Sequence, residues 1–493
     1  MRESRTRDPR STWIRSLPWN FTVDVLSPGD LAKLHDNSLA ILDKVGIALG
    51  WAPAVDALAD TGARVDRDAN RVFFPPELIE KQLALAPSSF LLAARDPALD
   101  LRIGAGHGYL ATDGCVADII DIDTGTRRRS TKQDLGDITR LADALPQIGF
   151  HWQPVSAGDT PNNTRPLHEV QVQFLNTAKH IQQMTVIDGE NARGAAEMAR
   201  IVAGGAEELR RRPLMSNFQC SISPLAWEDG PLEAMAVFAE AGLPVGVCSM
   251  PLSCATAPAT VAGLLTIANA EILSGIAILE TMHPGAPTFY VSYATSMDLN
   301  SGALNLGWGP EELFAEMVCT QMARRYGIPS TVGTFGTGSK FPDWQAGVQN
   351  ALSGFAKVFA PGDMLTAAGS LYGDRAYSLE ALVLDAEIFD LLCHFADGYS
   401  FDEDHLAFGP ISEVGPGGHF LANPHTLANM RESWMSGLFE RGTWEDWEEA
   451  GRPSPVNGAR VRAREILGSH EPLPLPDGLE NELAKVIEAQ ERG

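Results

Sequence analysis

The sequence predicts a (β/α)8 barrel carrying an N-terminal α+β region and a C-terminal helical extension. Three observations predict it. Eight apolar segments of strand length recur between residues 106 and 400. Amphipathic stretches with helical spacing separate them, and several of these end in glycine, as helix C-termini do. No GxGxxG follows the first strand, which weighs against a doubly wound sheet, the other architecture made of alternating strands and helices.

In chain order, residues 1–26 read as a loosely ordered arm. Its opening, MRESRTRDPRSTWIRSLPW, has basic residues but no apolar core and is not a secretory signal. Residues 27–105 read as the N-terminal α+β region. There Leu31, Leu34, Leu39, Leu42 and Val45 repeat with helical spacing, Ser27 before Pro28 marks the helix start, and RVFFP reads as a short strand. Residues 106–400 hold the barrel, with strands predicted at 109–115, 149–156, 181–187, 214–223, 245–251, 288–296, 331–335 and 364–371. Segments such as KQDLGDITRLADAL, NARGAAEMARIVAGG and SLEALVLDAEIFDLLCHFADG supply the helices. The apolar run 261–279 is broken by Asn269, Glu271, Ser274 and Gly275, so it reads as a buried helix and not a membrane span. Residues 401–493 carry no further strand–helix pattern and read as an extension, rich in Trp and Glu, packed on the barrel.

The net charge of −25 disfavours nucleic acid and anionic membrane surfaces as partners, and it suits a cationic ligand. The six cysteines form no CxxC pair and lie at no zinc-site spacing. They read as reduced thiols of a cytoplasmic protein.

In such a barrel the chemistry sits at the C-terminal ends of the strands. The candidates there for substrate contact are Asp113, Gln153, Gln219, Tyr290, Tyr293, Phe335, Ser339, Lys340 and Tyr372. Asp159 and Asp374 add negative charge, and alternation puts Asn217, Gln219 and Ser221 on one face, expected to point into the barrel. For each of these singly, an internal hydrogen bond or ordinary packing competes with a ligand role. Trp152, Tyr290, Tyr293, Trp308, Phe335 and Tyr372 would suit a quaternary ammonium ion through cation–π attraction. The stretch GTFGTGSKFPDWQAG, from Gly333, runs from a strand into a glycine-rich turn that ends at Ser339 and Lys340 before a helix. Lys340 reads as a loop lysine, a substrate-orienting cation or a Schiff-base lysine. The last role is normally filled from within a strand. No HxH, HExxH, GxSxG or P-loop pattern occurs, so neither a catalytic metal nor a specific catalytic residue is assigned.

Five segments read together carry a resemblance: LHDNSLAILDKVGI, DLGDITRLADALPQI, SMDLNSGALNLGWGPEELF, IPSTVGTFGTGSKFPDWQAG and GPGGHFLANPHTL. The chain resembles the trimethylamine methyltransferase family of corrinoid-dependent methyltransferases. The resemblance implies a (β/α)8 barrel that moves a methyl group from a methylated amine to the Co(I) of a separate corrinoid protein. It also implies one-carbon metabolism and a homo-oligomer. Founding members contain pyrrolysine, whose electrophilic ring is held to bind and activate trimethylamine. This chain has none, and an ordinary lysine cannot form that adduct. A quaternary amine needs no such help, because a neutral tertiary amine leaves and no general acid is required. Members lacking pyrrolysine use glycine betaine or related betaines. The expectation is therefore a glycine betaine-like quaternary amine, with trimethylamine less favoured. A substrate carboxylate would fall to Lys340, Ser339, Arg375 or the N–H groups near Asp343. No DxHxxG signature of a corrinoid site occurs, so the corrinoid is expected on a partner protein docked over the barrel mouth. A Schiff-base lyase using Lys340 and a non-catalytic betaine-binding barrel stand as the alternatives.

Overall fold

Eight parallel strands close into a barrel in the computed structural model, which describes residues 13–304, 307 and 309–492. They are β1 (His107–Thr112), β2 (Ile148–Trp152), β3 (Ile181–Gln183), β4 (Met215–Cys220), β5 (Val245–Ser249), β6 (Thr288–Ser292), β7 (Ser330–Gly333) and β8 (Met364–Ala368). Neighbours pair in chain order, and β8 closes on β1 with Met364 opposite Tyr109 and Leu365 opposite Leu110. Each predicted strand has its counterpart. Most are shorter than predicted because the apolar signal runs on into the loops that form the mouth.

The helices that follow them are α1 (Lys132–Ala144), α2 (Arg165–Asn176), α3 (Gly189–Ala203), α4 (Asp229–Glu240), α5 (Val261–Met282), α6 (Pro310–Tyr326), α7 (Trp344–Phe359) and α8 (Leu379–Asp397). Thr131 and Asp134 cap the start of α1 reciprocally. Gly204 and Gly327 end α3 and α6 in the left-handed conformation that glycine adopts without strain. Helix α5 is apolar on all sides because every residue from 264 to 280 is buried. One flank lies on β5 and the other beneath the N-terminal helices Pro28–Lys44 and Pro76–Leu83. By length and composition it could cross a membrane, but 83% of its apolar window is buried inside the protein.

The barrel interior is aromatic. Phe150, Phe218, Phe289 and Tyr293 share one inner cluster with Trp152. Strand alternation in β4 is as expected, but the inward face is the reverse of the expectation. Phe218 packs inside against Trp152 and Tyr293, while Ser221 points out to Glu271 on α5 at 2.5 Å. A buried helix carboxylate draws the polar face outward, and the aromatics fill the lumen.

A two-stranded hairpin, Phe90–Leu92 with Leu101–Ile103, lies across the N-terminal end of the barrel. Its flanks are tied to residues just ahead of the strands. Ala93 N–H donates to Pro213 O at 3.0 Å, Arg95 N–H to Ala178 O at 2.7 Å, and Gly104 N–H to Asp363 Oδ1 at 3.0 Å. At the far end of the chain, helix Pro455–Ser469 packs on α8 and helix Leu479–Arg492 on α3.

Candidate active site

The loops after β1 and β8, the two strands that close the barrel, fold together over the mouth. Asp118–Ile120 and Arg127–Arg129 from the first loop form a four-stranded sheet with Ser370–Leu371 and Ala376–Tyr377 from the second. This sheet sets Asp113, just beyond β1, against Asp374 in the turn of the second hairpin. The turn is tight: Tyr372, Gly373 and Asp374 all have positive φ, at 59°, 59° and 54°. Two non-glycine positions of this kind flanking one glycine are held only by surrounding structure. Here the glycine-rich loop holds them, since Tyr372 N–H donates to Ser339 O at 2.7 Å and Gly373 N–H to Thr337 O at 2.8 Å. The Ser370 hydroxyl fixes Asp374 by donating to its Oδ1.

A cavity of about 580 Å³ opens at this end of the barrel. One wall is aromatic, formed by Trp152 at the end of β2 and by Tyr293 and Phe335 beyond β6 and β7. Trp152 stacks on Tyr293 with centroids 5.9 Å apart and 16° between planes. The Tyr293 hydroxyl bonds Thr366 Oγ1 at 3.1 Å, which orients the ring. Trp152 presses so closely on Gly114 that a Cβ there would sit 2.0 Å from the indole. The Trp152 indole N–H and Thr334 Oγ1 both line the cavity and have no hydrogen-bond partner among the described residues.

Four acidic residues, Asp113, Asp374, Glu312 and Glu316, also line the cavity. Burial pushes the Asp113 carboxyl well above the ordinary range, and the adjacent charge of Asp374 pushes it further. Burial raises Asp374 as well. Two carboxyls so placed oppose each other's ionisation. Burial also raises Glu316, but Lys357 of α7 reaches it at 2.7 Å and opposes the rise. Arg375 stands exposed at the rim, its guanidinium 5.5 Å from the Tyr372 ring.

Of the candidates named from sequence, Asp113, Tyr293 and Phe335 line this cavity, as do Trp152 and Asp374. The others lie elsewhere. Tyr290 points outward and donates to Asn269 Oδ1 on α5 at 3.2 Å. Gln153 and Gln219 are buried and bonded to loop carbonyls, Val155 O at 3.2 Å and Val186 O at 2.6 Å. Ser339 donates to Asp343 at 2.8 Å, and Asp343 caps α7 by accepting from Ala346 N–H at 3.1 Å. That helix end is therefore already satisfied. Lys340 is exposed, donates to Gly338 O at 2.8 Å and lies over Tyr372 at 4.9 Å, outside the cavity. Tyr372 is ringed by Arg127, Lys340 and Arg375. Asp159 accepts from Lys132 N–H at 2.7 Å at the start of α1. Trp308 lies outside the described residues.

Glu316 and its partner Lys357 were not singled out from sequence. The available signal was a lone lysine on the inner face of α7 and a glutamate on that of α6, both inside otherwise apolar stretches.

The sequence matches the trimethylamine methyltransferase (MTTB) family over residues 2–493. It is 32% identical to the glycine betaine methyltransferase of Desulfitobacterium hafniense (strain Y51), covering 94% of this chain and 96% of that protein. It is 32% identical to the trimethylamine methyltransferase MttB of Desulfitobacterium hafniense (strain DSM 10664 / DCB-2), covering 94% and 93%. It is 28% identical to the trimethylamine methyltransferase MttB of Methanosarcina barkeri, covering 95% and 96%. The solved monomethylamine methyltransferase (MtmB) of Methanosarcina barkeri is 10% identical, covers 90% of this chain and 92% of that one, and has a TM-score of 0.49.

Proposed function

This chain belongs to the trimethylamine methyltransferase family, and from that premise we propose that it takes a methyl group from a betaine-type quaternary amine and passes it to the Co(I) of a corrinoid carried by a separate protein. One observation carries the substrate class. The cavity is lined by a stacked aromatic pair together with the carboxyls of Asp113 and Asp374, and no lysine occurs among its described lining residues. Aromatic faces attract a cation most strongly when the site is dry, and a buried carboxylate reinforces them.

In the reaction the N–CH3 bond breaks with its electron pair left on nitrogen. The leaving group is then a neutral tertiary amine that needs no proton. The protein's task is to orient that bond toward the mouth and to exclude water. Trp152, Tyr293 and Phe335 hold the ammonium group, with Asp113 and Asp374 supplying negative charge. Arg375 at the rim is placed to take a substrate carboxylate, so a zwitterion lies with its cationic end inward. The methyl acceptor, a co-substrate, approaches over the mouth. A cytoplasmic setting suits the six unpaired cysteines. The Schiff-base alternative has neither the family nor the geometry behind it, because Lys340 points away from the cavity.

The test is a spectroscopic assay with Co(I)-cobalamin or a cognate corrinoid protein and a panel of methylamines and betaines. Loss of the Co(I) spectrum with a betaine is the expected result. Transfer from trimethylamine and from no betaine would overturn the substrate class. Tight betaine binding with no transfer under any condition would favour a non-catalytic binding barrel.

A further inference from the structure

The cavity holds a second charged arrangement, carried by helices and not by the loops of the mouth. Glu316 of α6 lines the cavity, and Lys357 of α7 lies behind it, wholly buried and 2.7 Å from its Oε2. Lys357 is not among the described lining residues, so the pair turns its negative end toward the cavity. A buried ion pair does little for a fold, because two apolar side chains of similar size would join α6 to α7 as well. A charge buried at the edge of a cavity points instead to a ligand. The other acids there are engaged differently. Glu312, one turn ahead on α6, accepts from Gly307 N–H at 2.5 Å, while Asp374 accepts from Ser370 and stands beside Asp113.

Gly333, the last residue of β7, makes room for that carboxylate. Its neighbour Val332 shares the outer cluster with Val358 and Leu365, so position 333 faces the lumen. A Cβ at Gly333 would sit 2.5 Å from Glu316 Oε1, a distance no side chain tolerates, and 3.8 Å from the Tyr293 ring. The bare backbone therefore opens onto a space bordered by a carboxylate on one side and an aromatic ring on the other. Those are the two surfaces that attract an ammonium ion. The ring is fixed in turn by Thr366 and by Trp152 stacked on it.

We propose that Glu316 is the carboxylate that receives the ammonium end of the substrate, with Lys357 as its positioning residue and Gly333 as the clearance that admits it. This role rests on the quaternary-amine reading above and names the residue that selects for charge. Lys357 holds one oxygen of Glu316 from behind and leaves the other, Oε1, at the Gly333 surface. Burial and, less strongly, Asp374 favour the protonated carboxyl, and Lys357 is the group that opposes them. A ligand with a tert-butyl group in place of trimethylammonium has the same shape and no charge at this point, so Glu316 separates the two by charge alone.

The experiment measures, by calorimetry on the full-length protein, the dissociation constants of glycine betaine and of 3,3-dimethylbutanoate, its analogue with carbon in place of the quaternary nitrogen. The ratio of the two is the quantity read, since a general change in cavity shape falls on both. Wild type should prefer the betaine, and Glu316→Gln should lower that preference roughly 10-fold or more. Gly333→Ala crowds the carboxylate and changes no charge. It should lower the preference as well, and add little once Glu316→Gln is present. Lys357→Met should lower the ratio without weakening the carbon analogue, because Glu316 then takes up a proton. If Glu316→Gln does not fold with Lys357 unpaired, its combination with Lys357→Met replaces it, and Gly333→Ala decides independently of both. A wild-type preference retained in Glu316→Gln or in Gly333→Ala overturns the role of Glu316 and leaves the quaternary-amine reading standing. A wild type with no preference for the betaine overturns that reading, and the role of Glu316 with it.

Discussion

Asp113 and Asp374 line one cavity, and charging both there is disfavoured. Asp113 is raised first by burial and then by its neighbour, and a cation held as in the proposed function would favour the ionised form of the pair. The titratable and charged groups facing it across the cavity are Glu312, Glu316 and Arg375. Cation affinity should therefore rise as pH rises through the ionisation of the pair, and binding should release a proton. Calorimetry in buffers of different ionisation enthalpy measures this directly. Asp113→Asn should remove the proton release and flatten the pH dependence. Trp152→Leu should weaken binding of a quaternary ammonium roughly 10-fold, the equivalent of about 1–2 kcal/mol of cation–π attraction, with little effect on a neutral isostere. At this scale the sequence was only partly legible. Tyr290 and Tyr293 are three positions apart, so in an extended strand they must face opposite sides, and alternation alone says that only one can enter the barrel. Which one does was decided by Asn269, an outward hydrogen-bond partner more than twenty residues earlier in sequence that no local pattern reveals. Lys340 stood out as a lone lysine in a glycine-rich turn. That turn uses the carbonyls of Thr337 and Ser339 to hold the Tyr372–Asp374 hairpin, and Lys340 stays outside the cavity.

At the scale of elements, buried acids on the barrel helices anchor the loops that shape the mouth. Glu271 of α5 accepts from Ser221, Ser223, Ser249 and the Leu225 N–H, at 2.5 to 2.8 Å, tying the loop after β4 to the end of β5. Glu169 of α2 joins the loops after β2 and β3 in the same way, through Ala157 N–H at 2.9 Å and Thr185 at 2.8 Å. Glu271→Ala leaves several buried donors unmet and should cost at least about 3 kcal/mol in chemical denaturation. Asp385 of α8 accepts from Gly369 N–H at 2.8 Å and from Asn350 at 2.7 Å, and burial raises it from 3.8 to about 7. Because the folded state holds this proton more tightly than the unfolded chain, its contribution to stability is complete below about pH 4. That contribution is lost as pH rises toward 7. Asp385→Asn should lessen the fall in melting temperature between pH 5 and pH 8. The helices themselves were readable from their spacing and glycine ends, and the eight strands from their apolar runs. The acids were visible only as interruptions of apolar stretches, as Glu271 is in α5, and sequence does not say what such an interruption grips.

Over the whole molecule, barrel closure and terminal additions follow from the order of segments, but the fate of the C-terminal segment does not. Its last two helices pack on α8 and α3 as an extension on the barrel should, whereas Phe401, Phe408, Leu421 and Leu427 ahead of them stay exposed. The hairpin across the other end of the barrel bears on kinetics. Among the described residues it packs across the floor, so under the proposed function a small amine and a bulky methyl acceptor would share the doorway at the mouth. The amine has to be seated before the acceptor covers the opening, and the spent amine departs only after the acceptor lifts away. Initial-rate measurements should show a compulsory order of addition, with excess acceptor protein inhibiting by capping the empty barrel and with that inhibition relieved by more amine.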